Sequence, residues 1–146
     1  MLHCFITLIY FLLPPTWHTN FQEAQQLAQT EHKLILLNFS GSDWCGPCML
    51  LKKEYFSSEA FNTMANQKLI LVNADFPRRK NNQLSAEQVA QNEKLADQYN
   101  PQGHFPLTLL LDTNGKVLQS WQGKPNSDVD NWTLEVEKAC LSHFQK

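Results

Sequence analysis

Apolar residues gather in three short runs along the chain, at 33–39 (KLILLNF), 68–74 (KLILVNA) and 107–112 (LTLLLD). Each run is nearly continuous, as in strands covered on both faces. Between the runs the apolar positions recur every three or four residues. Asn20-x-x-Glu23 has the form of a capping box, and Phe21, Ala24, Leu27 and Ala28 follow at helical spacing, so the pattern predicts a helix over 20–31. From Cys48 on, Met49, Leu50, Leu51, Tyr55 and Phe56 predict a helix that begins at the cysteine motif, with a further short turn over 58–65. Ser85-x-x-Gln88 opens a helix to Tyr99 that turns Val89, Leu95 and Tyr99 inward, and Pro101 and Gly103 stop it. Asn114-Gly115 is a hairpin signal, with a return strand over 116–121. A last helix starts near Ser127 and carries Val129, Trp132, Val136, Cys140 and Phe144 on one stripe.

The order is α-β-α-β-α-β-β-α. Strands joined through helices are expected to run parallel with right-handed crossovers, and the hairpin adds an antiparallel edge. The fold class is therefore α/β: a mixed sheet with a central parallel part and an antiparallel hairpin, and helices on both faces. A length of 146 residues suits one domain with a single core. Net charge is −2, and the basic residues are scattered save for Arg78-Arg79-Lys80. That run is too short to suggest nucleic acid and reads as a solvated loop.

Residues 4–13 (CFITLIYFLL) are apolar or nearly so and end at Pro14-Pro15. The run is too short to span a bilayer but has the length of a signal-peptide core. It lacks a basic flank and a small-residue cleavage site, and the alternative is an N-terminal strand or helix packed on the core. The expectation is an export signal or apolar segment over 1–16, a domain over 17–146, and a periplasmic or otherwise extracytoplasmic location, with a cytoplasmic one as the alternative.

Two of the four cysteines, Cys45 and Cys48, stand two residues apart after a buried strand. Three readings compete. A structural zinc site wants four ligands, and there is no second cysteine pair and no closely spaced histidine pair, although two thiolates suffice for copper(I). A structural disulfide this local closes too short a loop to add much stability. Thiol–disulfide exchange fits the placement best. At a helix start, unpaired N–H groups and the helix dipole stabilise a thiolate on Cys45, with Cys48 one turn on, less exposed and ready to resolve a mixed disulfide. Pro47 costs no hydrogen bond in a first helical turn, and Gly46 leaves room for another backbone. Cys140, on the buried stripe of the last helix, is a small apolar filler.

Trp44-Cys45-Gly46-Pro47-Cys48 resembles the active-site motif of thioredoxins. The likeness extends over roughly residues 17–123. Pro106 falls where that superfamily has its cis-proline, and Asn114-Gly115 and Gly123 match its hairpin and following glycine. Trp17 with Phe21-x-x-Ala24, the approach Gly41-Ser42-Asp43-Trp44, and Asp75-Phe76-Pro77 resemble exported bacterial thioredoxin-like proteins. The resemblance implies a protein-disulfide reductase with Cys45 as nucleophile and Cys48 as resolver, Trp44 as a lid, and Phe105-Pro106 facing the cysteines as a docking edge. It implies no cofactor beyond the dithiol. Its partners would be client proteins with disulfides and an upstream thiol electron donor, and the chain is expected to be a monomer. The competing class is a binding module, a copper(I) metallochaperone or a non-catalytic adaptor.

The chain departs from the family at Asn38, where thioredoxins carry a buried Asp that takes the resolving cysteine's proton. An amide takes no proton at neutral pH. Resolution then relies on water or another carboxylate, of which Asp43 is nearest in sequence. Gln102-Gly103-His104-Phe105 is one residue longer than usual, which brings His104 into question as a thiolate stabiliser.

Overall fold

The structure, a computed structural model, describes residues 13–145. The apolar segment expected as a signal therefore lies, up to residue 12, outside the described residues. Five strands form one sheet in the order β1-β3-β2-β4-β5. They are β1 (Trp17–His18), β2 (Leu34–Ser40), β3 (Leu69–Asp75), β4 (Leu107–Leu111) and β5 (Val117–Gln122). The helices are α1 (Phe21–Glu31), α2 (Gly46–Leu50) continued by a π-helical turn (Leu51–Phe56), α3 (Glu59–Lys68), α4 (Ala86–Tyr99) and α5 (Val129–Phe144).

Polar side chains mark the helix starts. Asn20 Oδ1 accepts from Glu23 N, Ser58 Oγ from Phe61 N, Ser85 Oγ from Gln88 N and Asp128 Oδ1 from Asn131 N. Each such cap contributes about 1 kcal/mol by giving an otherwise unpaired N–H a partner. The central strands have their expected double burial. Leu34, Leu36, Leu69, Leu71 and Leu110 face a core shared with α3, α5 and the π-helical turn, built around Phe61 and Trp132. Ile35, Leu37, Phe39, Ile70 and Val72 face a second core with Ala24 and Ala28 of α1 and Leu95 of α4.

Direction and detail differ from expectation in places. β2 and β3 are parallel, but β4 runs antiparallel to β2 although a helix joins it to β3. An apolar run encodes burial and not direction. The connection after α4 returns the chain to the end of the sheet where Phe39 stands, so that Leu107 pairs with Phe39 and β4 sets off the other way. Trp17–His18 is a short parallel edge strand on β3 that two residues of pattern could not announce. The motif helix begins within the motif as expected, at Gly46 with Cys45 as its cap, while α3 runs on to Lys68, which the sequence pattern assigns to the following strand. The hairpin turns at Gly115, whose φ of 84° suits glycine, and the Tyr99 hydroxyl donates to its carbonyl at 2.7 Å.

Cys140 is fully buried beneath α5. Burial pushes its thiol up to about 11, so almost no thiolate forms near neutral pH. Native protein at pH 8 is expected to leave Cys140 unmodified by iodoacetamide while denatured protein is fully modified, as read by peptide mass spectrometry.

Candidate active site

The site is built where β2 gives way to α2. Gly41 O accepts the N–H of Cys45 at 2.9 Å, and Cys45 itself caps α2 in extended conformation (φ −94°, ψ 102°). The N–H of Cys48 donates to Cys45 Sγ at 3.3 Å, so the sulfur takes the place of a capping oxygen. Cys45 and Cys48 are joined by a disulfide with Cα atoms 5.2 Å apart. Pro47 occupies the second helical position, where no intrahelical N–H is required of it. The expected contrast in exposure is absent: Cys45 and Cys48 are each 5% exposed. Gly46 and Pro47 between them carry the exposed surface, and a Cβ at Gly46 would meet nothing within 4 Å.

Beneath the motif the sheet changes character. On the face where Leu34 and Leu36 are core, the next two positions of β2 are Asn38 and Ser40. Asn38 lies in register between Asn73 and Thr108 on the flanking strands, and Ser40 lies opposite Asp75. Asn38 Nδ2 donates to Asn73 Oδ1 at 3.0 Å, and Thr108 Oγ1 donates to Asn38 Oδ1 at 3.1 Å. Ser40 Oγ is 3.2 Å from both Asn73 Oδ1 and Asp75 Oδ1, so its one proton serves one of them at a time. Ser42 closes the row by donating to Asp75 through its N–H at 2.9 Å and its hydroxyl at 2.5 Å. A pocket of about 190 Å³ is lined by Asn38, Ser40, Asn73 and Cys48 together with Trp17, Lys52 and Phe56. That space and its polar groups admit ordered water beside Cys48.

Asp43 is placed elsewhere. Its carboxylate accepts the N–H groups of Arg78 and Arg79, both at 2.9 Å, and the amide of Asn82 at 3.0 Å. These contacts, the Arg78 N–H foremost, hold its carboxyl below the ordinary value. It therefore serves as an anchor for the loop after β3 and as a poor proton acceptor. Trp44 folds over Gly41, where a Cβ would come within 2.2 Å of the indole. Its Nε1 donates to Phe76 O at 2.7 Å. The ring packs edge-on against Phe105, with centroids 5.4 Å apart. The Phe105–Pro106 peptide bond is cis, Pro106 is buried, and Pro106 O accepts from Gly123 N at 2.8 Å. Of the residues expected at the site, Cys45, Cys48, Trp44, Phe105 and Pro106 thus form one connected cluster, and Asn38 shares a pocket with Cys48. His104 is bound by Asn100, which clasps its backbone on both sides, while its ring meets Gln102 Oε1 at 3.0 Å. Among the described residues no group of three or more His, Cys, Asp or Glu is placed to hold a metal ion.

A thioredoxin-like family model matches residues 16–113. The chain belongs to the thioredoxin-like family. The disulfide bond reductase DsbH of Chlamydia pneumoniae is 37% identical to this thioredoxin-like chain over 99 residues, which are 68% of this chain and 58% of that protein. The thioredoxin-related protein DsbJ of the same organism is 36% identical over 64 residues, 44% of this chain and 18% of that one. The chain thus spans less than two thirds of either relative's length. Among solved structures, a DsbH oxidoreductase superposes with a TM-score of 0.79 at 30% identity, covering 88% of this chain and 86% of the other. A thioredoxin from Thermus thermophilus, at 13% identity, shares the fold with a TM-score of 0.67 over 89% of this chain and 90% of its own.

Sequence reasoning missed the parts played by Asn73, Asp75, Ser40 and Thr108. Their signal was weak but present, in polar residues that interrupt strand runs at matching distances from the strand ends. Two outcomes are expected. Asn38→Asp, which sets a desolvated acid with a raised pKa against the Cys48 pocket, speeds dithiol-driven insulin reduction near neutral pH, and an unchanged or slower rate removes Asn38 from that role. Because the Asp43 carboxyl is depressed, its anchoring holds in full above about pH 4 and is lost as pH falls through the folded value. Amide NMR signals of Arg78 and Arg79 are expected to shift below that pH, and Asp43→Asn to abolish the transition.

Proposed function

We propose that the chain is a thiol–disulfide oxidoreductase that reduces disulfides of client proteins through the Cys45/Cys48 dithiol. The observation that carries this reading is the capping sulfur of Cys45, joined to Cys48 and supported by the N–H groups at the start of α2. Those groups favour a thiolate on Cys45 once the pair is reduced. The thiolate attacks one sulfur of the client disulfide, and the other client sulfur leaves as a thiolate that takes a proton from water. Cys48 then gives up its proton to water and attacks Cys45 Sγ. The Cys45–Cys48 disulfide forms, the second client thiolate leaves and is protonated, and two electrons have passed from the pair to the client. A dithiol carrier must return two electrons before the next turnover.

Phe105 and Pro106 supply the edge against which an extended client segment lies, its backbone groups pairing beside the cis bond. Trp44 positions that edge through its contact with Phe105, Gly46 keeps the outer face of the motif open, and Pro47 sets the helix start. The name of the Chlamydia pneumoniae relative, a disulfide bond reductase, supports the reducing direction. The dithiol is the redox centre and no further cofactor enters. The chain acts as a monomeric domain over 17–146, in an extracytoplasmic compartment. The apolar stretch at residues 4–13 supports that location.

Cys45→Ser is expected to abolish dithiol-driven insulin reduction, and Cys48→Ser to accumulate mixed disulfides with clients on non-reducing gels. Variants that reduce insulin at the wild-type rate, combined with tight 1:1 copper(I) binding by the wild type, would establish the metallochaperone instead. The direction of electron flow is read from the reduction potential of the pair against glutathione, each 30 mV being about 1.4 kcal/mol.

A further inference from the structure

The basic run Arg78-Arg79-Lys80 reads in the sequence as a solvated loop. In the structure it is fastened to the motif. Asp43, two residues before Cys45, binds the backbone of Arg78 and Arg79 and the side chain of Asn82. The neighbouring Trp44 binds Phe76 O. Arg78 Cζ stands 3.6 Å from the centroid of the Trp44 ring. The same ring touches Phe105, the residue before the cis Pro106. Phe76 also packs on Phe105, with centroids 5.5 Å apart. A guanidinium is thereby stacked at the edge of an aromatic wall that leads from Cys45 to Pro106.

The charge of this rim is only partly offset: the Asp43 carboxylate acts on Arg79, and neither Arg78 nor Lys80 has an ion-pair partner among the described residues. Arg78, Arg79 and Lys80 are exposed. Among the described residues the ion pairs are Lys33–Glu31, Lys68–Glu137 and Lys124–Glu54, none of which includes the three. The two nearby carboxylates are turned to other donors: Asp43 to backbone N–H groups, and Asp75 to Ser40, Ser42 and Phe76 N. A chain of net charge −2 therefore presents cations beside its reactive sulfur.

We propose that this rim is a specificity surface for client segments that carry Asp or Glu beside their disulfide. The proposal rests on the oxidoreductase reading and adds to it the charge of the preferred substrate. An acidic side chain next to the client cystine meets Arg78 where it is held flat on Trp44, while Arg79 and Lys80 attract it from farther out. Attraction of this kind acts mainly on encounter and register, and salt screens it over about 10 Å at 0.1 M ionic strength. The Arg78–Trp44 stack fixes the charge at the groove, where a freely moving lysine would spread it over solvent.

The test uses three synthetic peptides, each with one internal disulfide and identical except for Glu, Ser or Lys flanking it. The full chain is expected to reduce the Glu peptide with a kcat/KM roughly tenfold above that of the Lys peptide at low salt, and the ratio to shrink toward one by about 0.5 M salt. Arg78→Gln, and separately the pair Arg79→Gln with Lys80→Gln, are expected to lower the Glu-to-Lys ratio. The ratio cancels any common change in the reactivity of Cys45. A wild-type ratio of one, or a ratio kept in both variants, overturns the proposal. Peptides with serine in place of both cysteines read docking without exchange, through amide shifts at Trp44 and Arg78. A preference for the Glu version there, with no peptide reduced, upholds the surface and sinks the oxidoreductase reading, and equal shifts for Glu and Lys sink the surface.

Discussion

The N–H groups in the first turn of a helix have no carbonyl behind them, and at α2 the one belonging to Cys48 is met by sulfur. That constraint orders the neighbourhood. For Cys45 to cap the helix its backbone must be extended and its own N–H must be taken up by Gly41. For Gly41 to do so, β2 must stop at Ser40 and the indole of Trp44 must lie where any side chain on residue 41 would stand. Trp44 in turn fixes Phe105, and through it the cis bond of the β4 approach. A requirement that begins with one unpaired donor thus reaches a residue about sixty positions away in sequence.

The second organising fact is the division of one sheet face into an apolar part and a polar part. Leu34 and Leu36 bind the helical layer, and one turn of the pleat later Asn38 and Ser40 bind only side chains of the adjacent strands. Buried amides of this kind are tolerable because each has a partner: Thr108 on one side, Asn73 on the other. Cys48 therefore shares its pocket with a hydrogen-bonded row in which the position of Asn38 carries no charge. An amide at position 38 spares the fold the cost of a desolvated carboxylate there.

Much of this was legible along the chain. Continuous apolar runs marked β2, β3 and β4, capping boxes marked α1 and α4, and the cysteine pair after a strand marked the site. What stayed hidden has physical reasons. The direction of β4 depends on where the connection after α4 leads, which no periodicity records. The two residues of β1 are too few to carry a pattern. The equal burial of Cys45 and Cys48 follows from the turn at Gly41 and not from their spacing. Asp43 and Arg78 each read as solvent-facing because their partners are more than thirty residues away and, for Asp43, two of the three are backbone N–H groups.

The polar rows beneath the motif have a consequence for how such a protein changes over generations. Asn38 touches both Asn73 and Thr108, and Asn38 and Asn73 line the pocket, whereas the outer face proposed to meet a client is made by other residues: Trp44, Phe105, Pro106 and the basic loop. Under the proposed function, substitutions in the rows would alter proton handling without redrawing the client surface, and substitutions in the loop would do the reverse. Rate and recognition are thereby separate traits, open to selection one at a time.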